Sequence, residues 1–139
     1  MEKKFQVVIL TPYGKYLQSD AEFLSVTSSV GILGILPNHA PLITTLEISA
    51  LTIKDGRFTN RYAISGGVMH IKNDHSVHLL VDSIERSDEI DVKRANDSKA
   101  RAEKRLSGKS DEEVDVARAK LSLLRSLNRL NVSNYKGEK

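Results

Sequence analysis

The sequence predicts a β plus α fold, in which a β domain is followed by a C-terminal antiparallel two-helix hairpin. The first observation is charge: residues 1–84 carry 7 basic and 7 acidic residues, whereas residues 85–139 carry 14 and 11, so the second part holds the whole net charge of +3. The second is that all three prolines and six of the eight glycines precede residue 85. We therefore predict two domains, residues 1–86 and residues 87–139.

Short runs rich in β-branched residues predict the strands of the first domain. They cover residues 5–10, 23–27, 48–54, 58–65, 68–72 and 76–81. Asp55-Gly56 and Asn73-Asp74 each stand between two such runs and predict hairpin turns. Repeated short strands at this spacing are typical of a sandwich or a barrel. Between strands, Gly66-Gly67 predicts a bulge or a close backbone approach, which we favour over a phosphate-binding loop.

Residues 89–106 predict the first helix, because they contain neither Gly nor Pro and are rich in Ala, Lys, Arg and Glu. Ser87 or Asp88 is expected to cap its start, with acidic residues crowding the first turn. Gly108 is expected to end it in a left-handed conformation. One face of this helix is predicted to be apolar and contains Val92, Ala95, Ala102 and Leu106.

A second helix is predicted over residues 111–130, with Asn131 as its stop. Ser110 and Glu113 have the spacing of a capping box. The predicted apolar stripe consists of Val114, Ala117, Leu121 and Leu124, broadened by Leu123, Leu127 and Leu130. The short link makes the helices antiparallel. Since isolated helices of this length are marginal in water, the hairpin needs a partner surface, and an element held by a modest interface can occupy two positions.

Basic residues recur on one side of each predicted helix. Asp91, Arg94 and Arg101 share a side of the first helix, and Arg118, Arg125 and Arg129 share a side of the second. If those sides meet, several guanidinium groups converge around one carboxylate and require an anion or acidic groups to neutralise them. The alternative is two solvated charged faces with local pairs such as Asp97–Arg101. Spacing alone leaves both interpretations open.

The composition excludes several classes of function. There is no cysteine, which excludes disulfides, thiolate zinc sites and cysteine nucleophiles, and the low aromatic content argues against base stacking. No apolar run is long enough to span a membrane, no signal peptide is evident, and we expect a cytoplasmic protein. The four histidines have no metal-site spacing: His70 and His78 are expected to face each other across a hairpin, and His39 to bond within its loop.

Five segments together resemble the epsilon subunit of bacterial F-type ATP synthases. The most specific of them is Leu33-Gly34-Ile35-Leu36-Pro37-Asn38-His39-Ala40-Pro41-Leu42. The others are Val8-Ile9-Leu10-Thr11-Pro12 with Gly14, Ser65-Gly66-Gly67, Ile90-Asp91-Val92-Lys93-Arg94-Ala95, and Leu124-Arg125-Ser126-Leu127-Asn128-Arg129-Leu130. Their order and separation match the family, and the resemblance covers about residues 5–132.

The resemblance implies a flattened β-sandwich followed by a helical hairpin, in a central-stalk subunit that is not itself catalytic. Such a subunit binds the gamma subunit and the c-subunit ring, and it couples proton-driven rotation to ATP synthesis. Its hairpin lies against the sandwich or extends along gamma toward the alpha and beta subunits, where it inhibits ATP hydrolysis. The implied location is peripheral, on the cytoplasmic face of the bacterial cell membrane.

The resemblance also implies two sets of binding residues. In some members the folded hairpin binds ATP as an allosteric ligand, and no catalytic cofactor is implied. The matching positions here are Glu85, Ile90, Asp91, Arg94, Ala95, Arg101, Arg125 and Arg129. The loop that faces the c ring corresponds to Ser28, Ser29, Val30, Gly31, Ile32 and Leu33. Many members carry an acidic residue where this chain has Ile32.

Two other functions compete with this one. A nucleic-acid-binding module would use the basic helices, but a net charge of +3 with interspersed acidic residues is a weak electrostatic footprint. A small enzyme would work from the histidines, but no activated nucleophile accompanies them in the sequence. We therefore expect neither nucleic acid nor direct membrane insertion among the partners.

Overall fold

The structure, a computed structural model, describes residues 4–108 and 115–134. Within these ranges an eight-stranded β-sandwich precedes two helices, which confirms the predicted fold class. The strands are β1 Phe5–Thr11, β2 Gly14–Ala21, β3 Phe23–Ser28, β4 Gly31–Ile35, β5 Leu42–Asp55, β6 Phe58–Ile71, β7 Val77–Val81 and β8 Ile84–Arg86. A 3₁₀ turn, Ser87–Glu89, leads into α1 Val92–Leu106, and α2 is Val116–Ser133.

The strands form hydrogen bonds in the order β2-β1-β7-β6-β5-β3-β4, with β8 paired to β6. Neighbouring strands are antiparallel except β1 and β7, which are parallel. Strand β7 pairs with residues 67–71 of β6, and β8 pairs with residues 62–64. The long β5–β6 ribbon is therefore the element that links the two halves of the sandwich.

The core changes sides along this ribbon. From β5 and β6 it takes Leu46, Leu51, Ile53, Tyr62, Ile64, Met69 and Ile71. Successive side chains of a strand point to opposite faces. In both strands the buried residues have even numbers at first and odd numbers further along, so the buried face switches in mid-strand. The opposite face of the ribbon is thereby left free to receive the helices.

Gly67 lies at this switch because a side chain does not fit there. A Cβ atom on Gly67, where φ is +150°, would collide with the carbonyl oxygen of Leu80 and lie 2.8 Å from the Cα of Val81. The β5–β6 register continues unchanged on either side of Gly66. Of the two alternatives for Gly66-Gly67, the structure supports the close backbone approach.

Three strands were not predicted, namely β2, β4 and β8. Strands β2 and β4 are the two ends of the strand order, and β8 has three residues and pairs only with β6. Strand β2 is largely polar, β4 is interrupted by Gly31 and Gly34, and β8 is very short, so none of them has a clear strand pattern in the sequence. Strand β6 is one continuous strand where two runs were predicted, and β5 begins at Leu42, six residues earlier than expected.

Both predicted hairpins form, but their turns differ in detail. Asp55 pairs with Phe58, so the two-residue turn is Gly56-Arg57 rather than Asp55-Gly56. Ile71 pairs with Val77, which leaves a five-residue loop between β6 and β7. Within it His75 takes a left-handed conformation with φ at 69°, a strain that the sequence pattern did not reveal.

The helices begin later than predicted. Residues 87–89 form a 3₁₀ turn, and the N-cap of α1 is Asp91, whose Oδ1 accepts from the Arg94 N–H at 3.0 Å. Helix α2 is likewise capped by Asp115, which is extended, and it continues through Asn131 to Ser133. The expected capping box Ser110–Glu113 lies outside the described residues. In both helices a carboxylate three residues before a donor determines the start.

Three leucines of the apolar stripe predicted for α2 face outward, and Val114 of that stripe lies outside the described residues. Leu121, Leu124 and Leu127 are 44%, 53% and 43% exposed. The buried residues of α2 are Ala119, Ser126 and Val132, and those of α1 are Ala95 and Ala102. Small residues let two helices approach closely, so the seam of the hairpin forms at the buried alanines, and Leu121, Leu124 and Leu127 remain at the surface while Leu123 and Leu130 are half-buried.

The hairpin docks on the outer face of the β5–β6 ribbon. Ile90 and Val132 pack against Ala63, with Ala50 beside them. This contact is small, and it places the start of α1 and the end of α2 next to β8. Among the described residues, neither helix is long and apolar enough to cross a membrane.

Candidate functional site

A cleft of about 280 Å³ opens where β8, the start of α1 and the end of α2 meet. It is lined by Glu85, Asp91, Arg94, Ala95, Ser98 and Arg129. Five of the eight residues that the resemblance assigned to ATP therefore lie together, although they come from three separate elements. Two carboxylates and two guanidinium groups share the cleft.

Local interactions hold the linker between β8 and α1. Tyr16 Oη on β2 donates to Glu89 Oε1 at 2.8 Å, and the Arg86 N–H donates to the same oxygen at 3.3 Å. Burial, together with the bond to Glu89, raises the pKa of Tyr16 above its ordinary range. Arg86 Nε donates to Asp88 Oδ1 at 2.6 Å, which lowers the pKa of Asp88. The linker is thus tied to the sandwich directly after β8, whose Glu85 lines the cleft.

An ion pair joins the hairpin to the sandwich across the cleft. Arg129 Nε donates to Glu85 Oε1 at 2.6 Å, and both side chains are about one-third exposed. This bond uses one of the five N–H donors of the guanidinium group. Arg129 therefore has further donors with which an anion can bind in addition to Glu85.

Asp91 contributes a carboxylate that already has a structural role. Its Oδ1 accepts the Arg94 N–H as the cap of α1, and Arg94, Ala95 and Ser98 follow on the first two turns of that helix. A carboxylate has two oxygens with about four acceptor positions. Asp91 can therefore cap the helix and still accept a further donor, such as an exocyclic amino group.

The other three predicted residues lie around the cleft rather than in its lining. Ile90 is buried, 8% exposed, against Ala63 and Val132. Arg101 is exposed and donates from Nη2 to Ser98 Oγ at 3.1 Å. Arg125 lines a narrow crevice beside the cleft. Of the arginines grouped by spacing, the fold brings Arg94 and Arg129 to one place.

Ser98 lines the cleft and Asn128 lines the crevice beside it, and neither residue was predicted from the sequence to have a role. Ser98 lines the cleft one turn after Arg94, so helical periodicity could have identified it. Asn128 Nδ2 donates to the carbonyl oxygens of Ser49 and Ile64. No local pattern reveals such a bond, since it joins residues more than 60 positions apart.

The predicted c-ring loop forms a tight turn with an apolar tip. Ser28 Oγ donates to the Gly31 carbonyl at 2.8 Å and accepts from the Val30 N–H at 3.2 Å. Val30 and Ile32 are 83% and 78% exposed. The turn between β3 and β4 therefore presents two large apolar side chains to solvent.

The outer face of the sheet carries a second exposed apolar area. Ile43, Val68 and Leu80 are exposed on the neighbouring strands β5, β6 and β7. His70 and His78 are directly paired in the β6–β7 register, as predicted, and burial lowers the pKa of His78. His39 Nδ1 lies 2.7 Å from the Ala40 carbonyl, within its loop as expected.

The chemistry of the cleft favours a ligand that carries both anionic groups and hydrogen-bond donors. Guanidinium groups bind phosphate oxygens, and carboxylates accept from amino or hydroxyl groups. In residues 4–108 and 115–134, no group of three or more His, Asp or Glu comes together in a way that could hold a metal ion.

Comparisons with known proteins agree with this architecture. The family model "ATP synthase, Delta/Epsilon chain, beta-sandwich domain" matches residues 4–87, and "ATP synthase, Delta/Epsilon chain, long alpha-helix domain" matches residues 88–134. The ATP synthase epsilon chain of Bacillus cytotoxicus is 44% identical over 96% of this chain and 99% of its own length. That of Halalkalibacterium halodurans is 42% identical over 91% and 95%.

Solved structures share the fold at low sequence identity. A chain of the Euglena gracilis mitochondrial ATP synthase, in an assembly of OSCP, F1 and c-ring, has a TM-score of 0.79 at 18% identity and covers 92% of this chain and 80% of its own. A chain of the Tetrahymena thermophila mitochondrial ATP synthase, from its central stalk and c-ring, has a TM-score of 0.58 at 17% identity, with coverage of 95% and 94%.

Proposed function

Since the chain belongs to the ATP synthase epsilon chain family and is thus a subunit of an F-type ATP synthase, we propose that it is a non-catalytic subunit of the central stalk. It couples proton-driven rotation to ATP synthesis. Its helical hairpin regulates ATP hydrolysis in response to ATP. In this proposal residues 1–86 bind the stalk and the c ring, and residues 87–139 form the regulatory domain.

The observation that carries the regulatory proposal is the composition of the cleft. Glu85 belongs to the sandwich, Asp91 and Arg94 to the start of α1, and Arg129 to α2. A ligand in the cleft would touch all three elements only when the hairpin is docked. Such a ligand favours the docked state by differential binding, and it need not be hydrolysed to do so.

ATP has the chemistry that these residues require. The adenine amino group would donate to Asp91 beside Ala95, with Ile90 supporting that wall from the buried side. The phosphates would lie along Arg94 and Arg129. Arg101 and Arg125, at the margins, would reach them by a change of side-chain rotamer, and each charge-assisted contact is worth roughly 1.5–3 kcal/mol. The cleft volume is near the lower end of ligand sites, so the phosphates would extend toward solvent.

Exposed apolar surfaces support the proposed stalk contacts. Contiguous exposed apolar residues mark interaction sites. We assign the turn with Val30 and Ile32 to the c ring, where an apolar contact at Ile32 replaces the acidic residue of many relatives. The face with Ile43, Val68 and Leu80 is assigned to the gamma subunit. The solved relatives come from assemblies whose descriptions name the c-ring.

The outward stripe of α2 supports a second position of the hairpin. Leu121, Leu124 and Leu127 are about half exposed in the docked state, whereas an extended hairpin would bury them along gamma. The basic residues released from the cleft would then face acidic surface of the alpha and beta subunits. This position inhibits hydrolysis, and it places the subunit peripherally at the cytoplasmic face of the membrane.

Titration of the purified full-length chain with ATP tests the regulatory site. Calorimetry is expected to show binding, and X-ray scattering a more compact chain. Arg129→Gln is expected to weaken ATP binding at least tenfold, because about 1.4 kcal/mol corresponds to a factor of ten. Arg105→Gln is the matched control, since Arg105 is exposed on the same hairpin away from the cleft. Absence of heat and of a thermal shift at millimolar ATP would refute the ATP site.

A further inference from the structure

In the described part of the chain, Asn128 is the one hairpin residue whose side chain is seen to donate hydrogen bonds to backbone carbonyl groups of the β5–β6 ribbon. Its Nδ2 lies 2.8 Å from the Ser49 carbonyl oxygen and 3.3 Å from the Ile64 carbonyl oxygen. Ser49 and Ile64 are directly opposite each other in the β5–β6 register. A single side-chain amide on α2 therefore bonds to both strands at once.

The chemistry of this contact is specific to a donor. A backbone carbonyl oxygen has two lone pairs, so it can accept from a side chain in addition to a ladder bond. Two carbonyl acceptors require the NH₂ end of the amide, with its two donors, to face the sheet. A carboxylate of the same shape would instead oppose two partial negative charges.

The apolar contact around Asn128 is small. It consists of Ala63, Ile90 and Val132, with Ala50 at its margin. Both ribbon residues of this contact are alanines, whose single methyl groups make few contacts, so it opposes rotation or sliding of α2 less than directional bonds do. The paired hydrogen bonds of Asn128, being directional, restrict both movements.

Asn128 also immediately precedes Arg129, whose Nε bonds to Glu85. Consecutive helical residues differ by about 100° in direction, so the rotation that places Asn128 on the ribbon also determines where Arg129 points. The Glu85–Arg129 pair is about one-third exposed and subject to screening by salt. The Asn128 bonds lie against the sheet and involve no full charge.

We propose that Asn128 is the positioning residue of the regulatory hairpin: it determines the rotation and height of α2 on the β5–β6 ribbon and thereby holds Arg129 at the cleft. Release of the hairpin requires that both Asn128 bonds break. The role of Asn128 in docking follows from its two hydrogen bonds, whereas its effect on nucleotide binding rests on the function proposed above.

A thiol-protection experiment on the full-length chain tests this role. The natural sequence contains no cysteine, so Ala63→Cys places a single thiol under the docked helices, where Ala63 is 5% exposed. Its labelling rate is proportional to the population in which the hairpin has opened. The second substitution is Asn128→Asp, which keeps the shape and removes the donor. Asn131→Asp is the control, because Asn131 is exposed on the same helix and the charge change is identical.

Asn128→Asp is expected to raise the labelling rate at least tenfold, and Asn131→Asp less than twofold. Asn128→Ala, which adds no charge, is expected to raise it by a smaller factor, and circular dichroism should show that both helices persist in all variants. The increase should remain at 0.5 M NaCl. The parent is the chain with Ala63→Cys alone. If the labelling rates of Asn128→Asp and Asn128→Ala are both within twofold of the rate of this parent, the proposal is overturned.

The effect of ATP on the labelling rate distinguishes a residue that positions Arg129 from one that only helps α2 to pack on the ribbon. In the parent, ATP should slow labelling by the factor 1 + [ATP]/Kd. In Asn128→Asp the Kd obtained from this protection is expected to rise at least fivefold, since Arg129 is no longer held at the cleft. An unchanged Kd would refute the positioning of Arg129. If ATP protects neither chain, the nucleotide site of the proposed function fails, while the rates without ATP still decide the role of Asn128 in docking.

Discussion

Asp91 caps α1 and lines the cleft, and substitutions can separate these two roles. As the N-cap of α1 it accepts the Arg94 N–H at 3.0 Å, and as a lining residue of the cleft it is proposed to accept from adenine. Asp91→Ala removes both roles. Asp91→Asn keeps a good capping side chain but removes the charge.

The expected magnitudes follow from these contacts. Loss of an N-cap costs about 1 kcal/mol, which corresponds to about 3 °C in Tm for a chain of this size. Asp91→Ala should therefore lower Tm by about 3 °C, and Asp91→Asn by less than about 1 °C. Replacing a charged acceptor by a neutral one loses about 1.4 kcal/mol of binding, or tenfold in ATP affinity.

Asp115 provides the matched control, because it caps α2 in the same way, with its Oδ1 3.1 Å from the Arg118 N–H, and it does not line the cleft. Asp115→Ala should lower Tm by a similar amount and leave ATP affinity within twofold. Thermal melts and calorimetry on the three variants measure both quantities. If Asp91→Asn binds ATP as tightly as the parent chain, Asp91 is only a helix cap and the reasoning about the adenine contact is wrong.

Three further outcomes are expected. Gly67→Ala should lower the free energy of unfolding in urea by about 2–4 kcal/mol, because its Cβ would meet the Leu80 carbonyl. The control is Gly56→Asn, at φ +62° in open space, which should change this free energy by less than about 1 kcal/mol. Equal losses in the two variants would contradict the steric explanation. Burial lowers the pKa of His78, so its contribution to stability is present above about pH 6.5 and is lost as pH falls; thermal melts from pH 8 to 5 should decline less steeply in His78→Gln, and parallel curves would refute this. Deletion of residues 87–139 should leave stalk assembly intact and increase ATP hydrolysis by the assembled complex, and unchanged hydrolysis would show that the hairpin does not inhibit.

Much of the fold could be predicted because its signals are local. The central strands are rich in β-branched residues, and the Gly108 stop of α1 matches a left-handed residue with φ at 76°. The errors concern elements whose signals come from elsewhere. Strand β2 is a polar edge strand held by its pairing with β1, and α1 is capped by Asp91, whereas Asp88, the cap expected from the sequence, bonds to Arg86 instead.

The candidate site could be predicted only in part for the same reason. Residues Asp91 to Ala95 are consecutive in the chain, so one helical turn suffices to bring them together. Arg129 reaches Glu85 across 44 residues, and only the docking of α2 makes that contact. Arg125 has the same residue type and a helical spacing to Arg129, yet it lines the neighbouring crevice.

By itself, the sequence determined the fold class, the concentration of net positive charge in the second domain, and which residues follow one another on each helix, because periodicity and composition are properties of the chain. Only the tertiary structure decided which helix face is buried. Ala95, Ala102 and Ala119 are buried while Leu121, Leu124 and Leu127 face outward, and the docking of α2, with the Asn128 bonds to the ribbon, brings Arg129 and not Arg125 into the lining of the cleft. These choices depend on contacts between residues far apart in the chain, whose energies no local pattern contains.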